Sequence, residues 1–166
     1  YEREKDITRI KLTYIGDGNN VANSLLMGAA ILGCDIAVAT PKKFEPEYSV
    51  VEKAYKLAAR SSSKITITNN IDEAVAGADY LYTDVWVSMG QEKETAKKKK
   101  IFEKFRIDDK LIRKTGKDAK VLHCLPAHRG EEITDEVMDG KHSIVFEQAE
   151  NRLHCQKAVM CALMGR

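Results

Sequence analysis

The sequence lacks a long apolar run, a large net charge and the features of a signal peptide. No stretch approaches the roughly 20 apolar residues of a membrane-spanning helix, so no membrane partner is expected. The formal net charge is +2, too small to favour nucleic acid, and the lysines at 97–100 fan around a predicted helix as a solvated face. The charged start, YEREKDITRI, has no signal-peptide hydrophobic segment and no initiator methionine. We therefore expect a chain that begins within a longer protein.

The cysteines follow no metal-binding or disulfide pattern. They are scattered without CxxC spacing, at Cys34, Cys124, Cys155 and Cys161. In a chain without a secretory signal we expect free thiols, and we infer a reducing, cytoplasmic compartment. Residues 1–166, of which 43% are hydrophobic, can bury a core without a metal or a disulfide. With no internal repeat or linker, they are expected to form one domain.

Short β-rich runs alternate with amphipathic segments along the chain. The runs predicted as strands are 10–16, 35–40, 64–68, 79–85, 119–125 and 143–148. The segments predicted as helices are 19–33, 46–61, 70–78, 94–105, 108–116, 131–140 and 149–165. This alternation is typical of right-handed βαβ units. It predicts an α/β fold with a Rossmann-like parallel sheet flanked by helices on both faces.

Unusual polar clusters follow four of the predicted strands: GDGNN (16–20), DVWVSMG (84–90), HCLP (123–126) and EQAENR (147–152). Ligands of open α/β sheets bind outside the carboxyl ends of the strands, so these clusters form the candidate site. GDGNN, residues 16–20, offers a tight turn and an asparagine at a helix start, which suits an anionic group. It also fits an ordinary strand-to-helix turn with an asparagine N-cap. A dinucleotide site is disfavoured because Val21 breaks the GxGxxG pattern.

The cluster DVWVSMG, residues 84–90, places a carboxylate and a hydroxyl four residues apart at the end of a predicted strand. Asp84 can bind an ammonium group, and Ser88 adds a neutral donor or acceptor. The alternative is a solvated turn in which Trp86 and Met89 pack into the core. The local sequence leaves both interpretations open.

HCLP, residues 123–126, is the sharpest local signal. A thiol beside a basic residue at a strand end can have a lowered pKa and act as a nucleophile or proton acceptor. Pro126 can carry a cis peptide bond that turns a carbonyl toward the cleft. A metal site of His123, Cys124 and His128 is disfavoured, because strand neighbours point to opposite faces. The alternative for Cys124 is a buried, inert thiol.

These four clusters, in this order, resemble motifs of the ornithine carbamoyltransferases. The similar segments are YIGDGNNVANS, DVWVSMGQE, HCLPAHRGEE and FEQAENRLHCQKA. They span essentially the whole chain but match only the second, ornithine-binding half of that enzyme. The resemblance implies transfer of a carbamoyl group from carbamoyl phosphate to the side-chain amine of L-ornithine, which gives L-citrulline. The SMG loop points to ornithine rather than aspartate.

The resemblance also implies a role for each matching residue. Cys124 corresponds to the catalytic cysteine, Leu125 to the neighbour whose backbone faces the carbamoyl group, and Arg152 to an arginine that reaches carbamoyl phosphate. The residues that correspond to ornithine contacts are Asn20, Asp84, Ser88 and Met89. The Leu125–Pro126 bond is expected to be cis, and no metal or cofactor is implied. A thiolate at Cys124 would orient the side-chain amine and help to take its proton.

One departure from the family concerns catalysis. No STRT-type phosphate-binding motif is present, so we expect the chain to fold but not to catalyse without the missing N-terminal domain. An apolar face that packs on that domain should be exposed, and the complete enzyme is expected to be a homotrimer that uses ornithine and carbamoyl phosphate. The alternatives are a carbamoyltransferase for another amine, such as putrescine or acetylated ornithine, and a non-catalytic binding module.

Overall fold

Residues 3–87 and 95–165 are described by the structure, which is a computed structural model. Their strands are β1 Lys11–Ile15, β2 Asp35–Ala39, β3 Ile65–Thr68, β4 Tyr80–Thr83 and β5 Lys120–His123. Their α-helices are α1 Asn20–Leu32, α2 Tyr48–Ser61, α3 Ile71–Val75, α4 Thr95–Phe102, α5 Asp109–Lys114, α6 Asp135–Met138 and α7 Val145–Met164. The strands form one parallel sheet in the order β3–β2–β1–β4–β5. The predicted α/β class is confirmed.

The strand order reverses between β1 and β4. From β1 the chain winds outward to β2 and β3, then returns to pair β4 with the free side of β1 and continues to β5. The last residues of the central strands are therefore neighbours: Ile15 pairs with Thr83, and Thr83 pairs with His123. Such a reversal opens the crevice in which α/β sheets of this kind bind ligands.

Alternation of side chains gives the sheet two faces. Ile15, Leu81 and Val121 are fully buried on the face covered by α3, α5 and α6, which we call the α3–α5–α6 face. Tyr14 and Tyr82 lie on the face covered by α1 and α2, the α1–α2 face. Helices therefore flank the sheet on both sides, as predicted, and the period of two along each strand sorts the residues between two cores.

The sixth predicted strand, 143–148, is wrong. Ser143 makes an isolated parallel bridge to Val121, and the N–H of Ile144 donates to the carbonyl of Val121, but α7 begins at Val145. A short apolar run fits a strand or the start of a helix equally well. Packing decides here, because Val145 is fully buried where the chain turns away from β5.

The predicted helix 131–140 is shorter than expected. Only Asp135–Met138 is helical, because Thr134 caps α6 by accepting a hydrogen bond from the N–H of Val137. Residues 124–134 form a loop instead, which we call the β5–α6 loop. This loop contains most of the HCLPAHRGEE segment.

The last helix extends beyond the body of the domain. Every residue of the range 152–165 is exposed. The exposed large apolar side chains of α7 are Phe146, Leu153, Val159, Met160, Leu163 and Met164. An exposed apolar surface therefore lies on α7. Among the described residues, no helix has the length and apolar character needed to cross a membrane.

Candidate functional site

The turn after β1 is shaped by a glycine and an asparagine cap. The N–H of Gly18 donates to the carbonyl of Phe44 at 2.8 Å, and a Cβ on Gly18 would lie 2.5 Å from that oxygen, so only glycine fits. Asn19 is the N-cap of α1, and its Oδ1 accepts from the N–H groups of Val21 and Ala22. Two of the helix-start amides that we proposed for an anionic ligand are therefore already bonded within the protein.

Asp84 connects the ends of three strands. It follows β4, is 7% exposed, and accepts at Oδ2 from the Nδ2 of Asn19 at 2.9 Å. At Oδ1 it accepts from the Sγ of Cys124 at 3.0 Å and from the N–H of Val85 at 2.8 Å. The turns after β1, β4 and β5 thus meet at one carboxylate. The sequence predicted that Asp84 and Cys124 would converge, and the structure brings them into contact.

Cys124 is a thiol in this arrangement. Burial raises its pKa to about 12, and the hydrogen bond to Asp84 and the charge of that carboxylate act in the same direction. The basic neighbour that we expected to lower its pKa, His123, is fully buried on the opposite side of the strand. The lowered pKa expected from a basic neighbour is therefore not found for Cys124 in the ligand-free chain.

The wall beside Cys124 is formed by aromatic hydroxyls. Burial raises the pKa of Tyr82 and of Tyr14 above their ordinary value, so both phenols are neutral. The hydroxyl of Tyr82 accepts from the Nε2 of Gln148 at 2.9 Å, and the Oε1 of Gln148 accepts from the N–H of His123 at 3.0 Å. Gln148 therefore ties the first turn of α7 to the end of β5.

Two further predicted residues lie at the rim. Asn20 is the first residue of α1, is exposed, and is adjacent to the Asn19 cap. Arg152 is exposed on α7 and lies one helical turn after Gln148, hence on the same side of the helix. Neither contributes to the hydrogen-bonded group around Asp84 as described. Ser88 and Met89, predicted as ornithine contacts, lie outside the described residues.

Leu125 has an unusual backbone. Its φ is +59°, in the left-handed region, and its peptide bond to Pro126 is cis, as expected. Its N–H donates to the Nδ1 of His123 at 2.8 Å. Leu125 packs at the edge of the α3–α5–α6 core, while Cys124 faces the α1–α2 core. One strand end therefore supplies side chains to both faces.

Sequence reasoning missed the burial of Lys98. The lysine run was interpreted as solvated, but Lys98 is 7% exposed and pairs with Asp17 of the GDGNN turn at 2.5 Å. Its Nζ also lies 5.5 Å from the centre of the Phe44 ring. Trp86 is 2% exposed and its ring lies 6.0 Å from that of Phe102 of α4, as in the alternative that places Trp86 in the core. Helix α4 is thereby fixed to the candidate site.

One cluster has ligand atoms of the type that bind metals. Suitable atoms of His128, Glu131 and Glu132 lie within 4.8 Å of one another. Glu131 is paired with Lys99, and the Oε1 of Glu132 already accepts from two protein donors. The Oε2 of Glu132 has no hydrogen-bond partner, but the charge of Glu131 is balanced by Lys99, and we assign no metal to this group.

The fold and site define an α/β ligand-binding domain whose polar groups meet at a strand-order reversal. The family described as aspartate/ornithine carbamoyltransferase, Asp/Orn binding domain, matches residues 8–163. The chain belongs to this family.

Similar proteins are named ornithine carbamoyltransferase. The catabolic ornithine carbamoyltransferase of Thermoplasma acidophilum is 52% identical over 164 residues, which cover 99% of this chain and 54% of that protein. The ornithine carbamoyltransferase of Geobacillus stearothermophilus is 48% identical, with 99% and 53% covered.

Solved structures agree with the fold. The ornithine carbamoyltransferase of Gloeobacter violaceus superposes with a TM-score of 0.89 at 48% identity, covering 98% of this chain and 54% of that one. The enzyme from Pyrococcus furiosus gives a TM-score of 0.92 at 47% identity, with 96% and 51% covered. The chain therefore spans about half the length of the relatives that it matches.

Proposed function

We propose that this chain is the ornithine-binding half of an ornithine carbamoyltransferase. The complete enzyme would transfer the carbamoyl group of carbamoyl phosphate to the side-chain amine of L-ornithine, giving L-citrulline and phosphate in arginine metabolism. The observation that carries the proposal is the contact of Asp84 with both Asn19 and Cys124 at the strand-order reversal. The names of the similar proteins support the same reaction.

The charges of ornithine fit the polar groups in a definite order. Asp84 is a carboxylate in a nearly closed environment and suits the α-ammonium group. The exposed side chain of Asn20 at the start of α1 suits the α-carboxylate, helped by the positive end of the helix dipole. The side-chain amine would then lie near Cys124, within reach of the backbone of Leu125. Arg152 would bind carbamoyl phosphate from α7.

The proton on the attacking amine is the main chemical obstacle. An amine with a pKa near 10.4 is almost wholly protonated at neutral pH and cannot attack a carbonyl carbon. Because burial holds Cys124 as a thiol, it is not a ready base in the empty site. An arriving ammonium group favours the thiolate by its charge, so substrate binding would lower the pKa of Cys124 and allow the proton to be shared.

The missing half would cover the exposed apolar surface of α7. A groove of about 470 Å³ also lies between the N-terminal segment, the sheet and α7, with mostly apolar lining that includes Ile10, Leu12, Tyr80, Leu122 and Ile144. Exposed apolar area of this kind is typical of an interface. We propose that the phosphate-binding domain packs here, and that the complete enzyme is a homotrimer.

The proposal is tested by supplying the missing half. The chain is mixed with a separately expressed phosphate-binding domain of a similar ornithine carbamoyltransferase, and citrulline is measured. We expect turnover from the mixture and none from either half alone. Silence of a mixture that forms a stable complex would contradict the proposal and favour a non-catalytic binding module.

The choice of acceptor is tested separately in the same mixture. Putrescine and acetylated ornithine replace ornithine, each removing one charged group from the acceptor. We expect putrescine, which lacks the α-carboxylate, and acetylated ornithine, which lacks the α-ammonium, to be poor acceptors. Faster turnover with either would assign a different substrate to the site.

A further inference from the structure

A buried polar pair lies beneath the proposed site, on the α3–α5–α6 face. His123 is 1% exposed and Glu132 is 0% exposed, and the Nε2 of His123 lies 3.1 Å from the Oε1 of Glu132. The other ring nitrogen of His123 lies 2.8 Å from the backbone nitrogen of Leu125. The imidazole therefore bridges a carboxylate and the residue after Cys124.

The backbone settles how this bridge is protonated. The N–H of Leu125 can only donate, so the Nδ1 of His123 must be an acceptor without a proton. The proton of the neutral ring is then on Nε2 and is donated to Glu132. The carboxylate thus selects the tautomer that can hold the Leu125 amide, in the way that outer carboxylates orient histidines at other sites.

Glu132 is a fixed point for this arrangement. The backbone carbonyl of Glu132 accepts from the N–H of Ile107 at 2.9 Å, and the next residue, Ile133, forms an isolated β-bridge with Ile107. Its Oε1 also accepts from the N–H of His128 at 2.6 Å. One carboxylate therefore holds both the beginning and the middle of the β5–α6 loop.

The backbone conformation of Leu125 depends on this hydrogen bond. Leu125 has a φ of +59°, which residues other than glycine rarely adopt and which persists only where the surroundings enforce it. The bond to His123 is the enforcing contact at its N–H. If it is lost, the backbone between Cys124 and Pro126 is free to rotate.

We propose that His123, oriented by Glu132, is a positioning residue for carbamoyl transfer. It fixes the Leu125 backbone and with it the thiol of Cys124 on the other face. The role rests on the proposed function, but the geometry on which it depends can be tested without activity. Neither residue touches the substrate site itself, since both are buried on the opposite side of the sheet.

Two substitutions separate the halves of the bridge. In His123→Asn the amide oxygen replaces Nδ1 and can still accept from Leu125, but the side chain no longer reaches Glu132. In His123→Gln the amide nitrogen replaces Nε2 and can still donate to Glu132, but the acceptor for Leu125 is lost. Both variants are polar and each removes one hydrogen bond of the bridge, so the free energy of unfolding is measured beside kcat to separate a loss of stability from a loss of positioning.

We expect the variants to differ in the complemented enzyme. His123→Gln should lower kcat by about 100-fold, the scale of a misplaced reacting group, while His123→Asn should lower it by about 10-fold. The KM for ornithine should change by less than about threefold in both, because Asp84 and Asn19 are untouched. Glu132→Gln keeps an acceptor oxygen toward His123 and should retain most of the turnover, whereas Glu132→Leu removes the same contact as His123→Asn and should resemble that variant.

Nitrogen-15 NMR of the histidine rings provides the readout that needs no activity. We expect His123 of the chain alone to show a proton on Nε2 and none on Nδ1. A proton on Nδ1, or equal kcat for folded His123→Asn and His123→Gln, would overturn the proposal. If a histidine variant does not fold, Glu132→Gln and the ring spectrum decide. A wild-type mixture that forms a stable complex and stays silent, with the expected ring spectrum, would reject the proposed function and leave the bridge intact.

Discussion

Adjacent residues at the end of β5 have opposite environments. His123 points into the α3–α5–α6 face, where it is fully buried and both ring nitrogens are hydrogen-bonded. Cys124 points to the α1–α2 face, where it is partly exposed and contacts Asp84. The period of two in a strand thus places a support and a reactive group one residue apart. One face fixes the backbone, and the other presents chemistry to a ligand.

The two sides also differ in what covers them. The α3–α5–α6 face is closed by side chains of the same chain, including Ile107, Ile133 and Val137, all essentially unexposed. On the other side, α7 carries apolar residues that remain exposed, such as Leu163 at 83%. A buried core and an exposed apolar surface therefore lie on opposite sides of the end of β5.

The largest effect is expected at the open side, from Asp84→Asn. The substitution keeps the shape but removes the charge that we propose for the ornithine ammonium group. Losing one partner of a closed charge pair costs about 2–5 kcal/mol. We expect a corresponding fall in kcat/KM for ornithine in the complemented enzyme, measured by citrulline formation.

Asp79 provides a matched control for this change. It precedes β4 as Asp84 follows it, and its carboxylate accepts from the N–H of Lys11 and from Lys117. Asp79→Asn should leave kcat/KM for ornithine unchanged. Equal losses from the two substitutions would mean that Asp84 acts on the fold rather than on the ligand.

The next prediction compares the buried core of the α3–α5–α6 face with the exposed apolar surface of α7. Ile133 is 0% exposed and Leu163 is 83% exposed. Ile133→Ala should lower the free energy of unfolding of the chain by about 2–5 kcal/mol, and Leu163→Ala should change it by less than about 0.5 kcal/mol. Denaturant titration of the chain alone measures both.

The larger effect should come from Leu163→Ala rather than Ile133→Ala when association with the other half is measured. Leu163→Ala should then weaken association with the phosphate-binding domain, measured by calorimetry, because an apolar contact is lost at the interface. Unchanged association for Leu163→Ala, together with other α7 substitutions such as Met160→Ala, would show that the missing half does not cover this helix.

The sequence predicted most of the fold because its signals were local. Short β-rich runs and helical periodicity identified the five observed strands and the helices between them. It failed at 143–148, where an apolar run fits strand or helix and only the burial of Val145 decides. It also overextended α6, since the Thr134 cap was not recognised within a polar segment.

The site was predicted less completely. Asp84 and Cys124 were identified because they follow strands, and the structure joins them. Asn20 stays a predicted ornithine contact, while the contact of Asn19, the cap of α1, with Asp84 was not predicted. An asparagine immediately before a helical pattern was the available signal. Nothing local could reveal that Glu132 is buried, because its partners come from the chain folded around it.

A smaller effect concerns the thiol of Cys124. Cys124→Ser should lower kcat of the complemented enzyme by about 100-fold, the lower range for a proton-handling group. Burial raises the pKa of the folded thiol to about 12, above the ordinary 9.0. The native state therefore favours the protonated thiol, and this contribution to stability is fully present below pH 9.0 and is lost as the pH rises toward about 12.

Alkylation followed by mass spectrometry of peptides checks this direction. At pH 8, Cys124 should react more slowly than exposed Cys155 on α7. Ornithine added with the other half should shift the pH dependence of Cys124 alkylation to lower pH. A neutral amino acid that covers the thiol without bringing a side-chain amine is the control for accessibility. Rapid alkylation of Cys124 near neutral pH in the free chain would contradict the thiol assignment.

The smallest effect comes from two equivalent caps. Asn19 caps α1 and Asn70 caps α3, and each side chain accepts from two backbone N–H groups. Replacing either by alanine should lower the free energy of unfolding by about 1 kcal/mol. Only Asn19→Ala should also raise the KM for ornithine, because only Asn19 donates to Asp84. Denaturant titration and citrulline kinetics, run on both variants, separate cap from site. If Asn19→Ala leaves the KM unchanged, Asp84 is oriented by Cys124 and the N–H of Val85 alone.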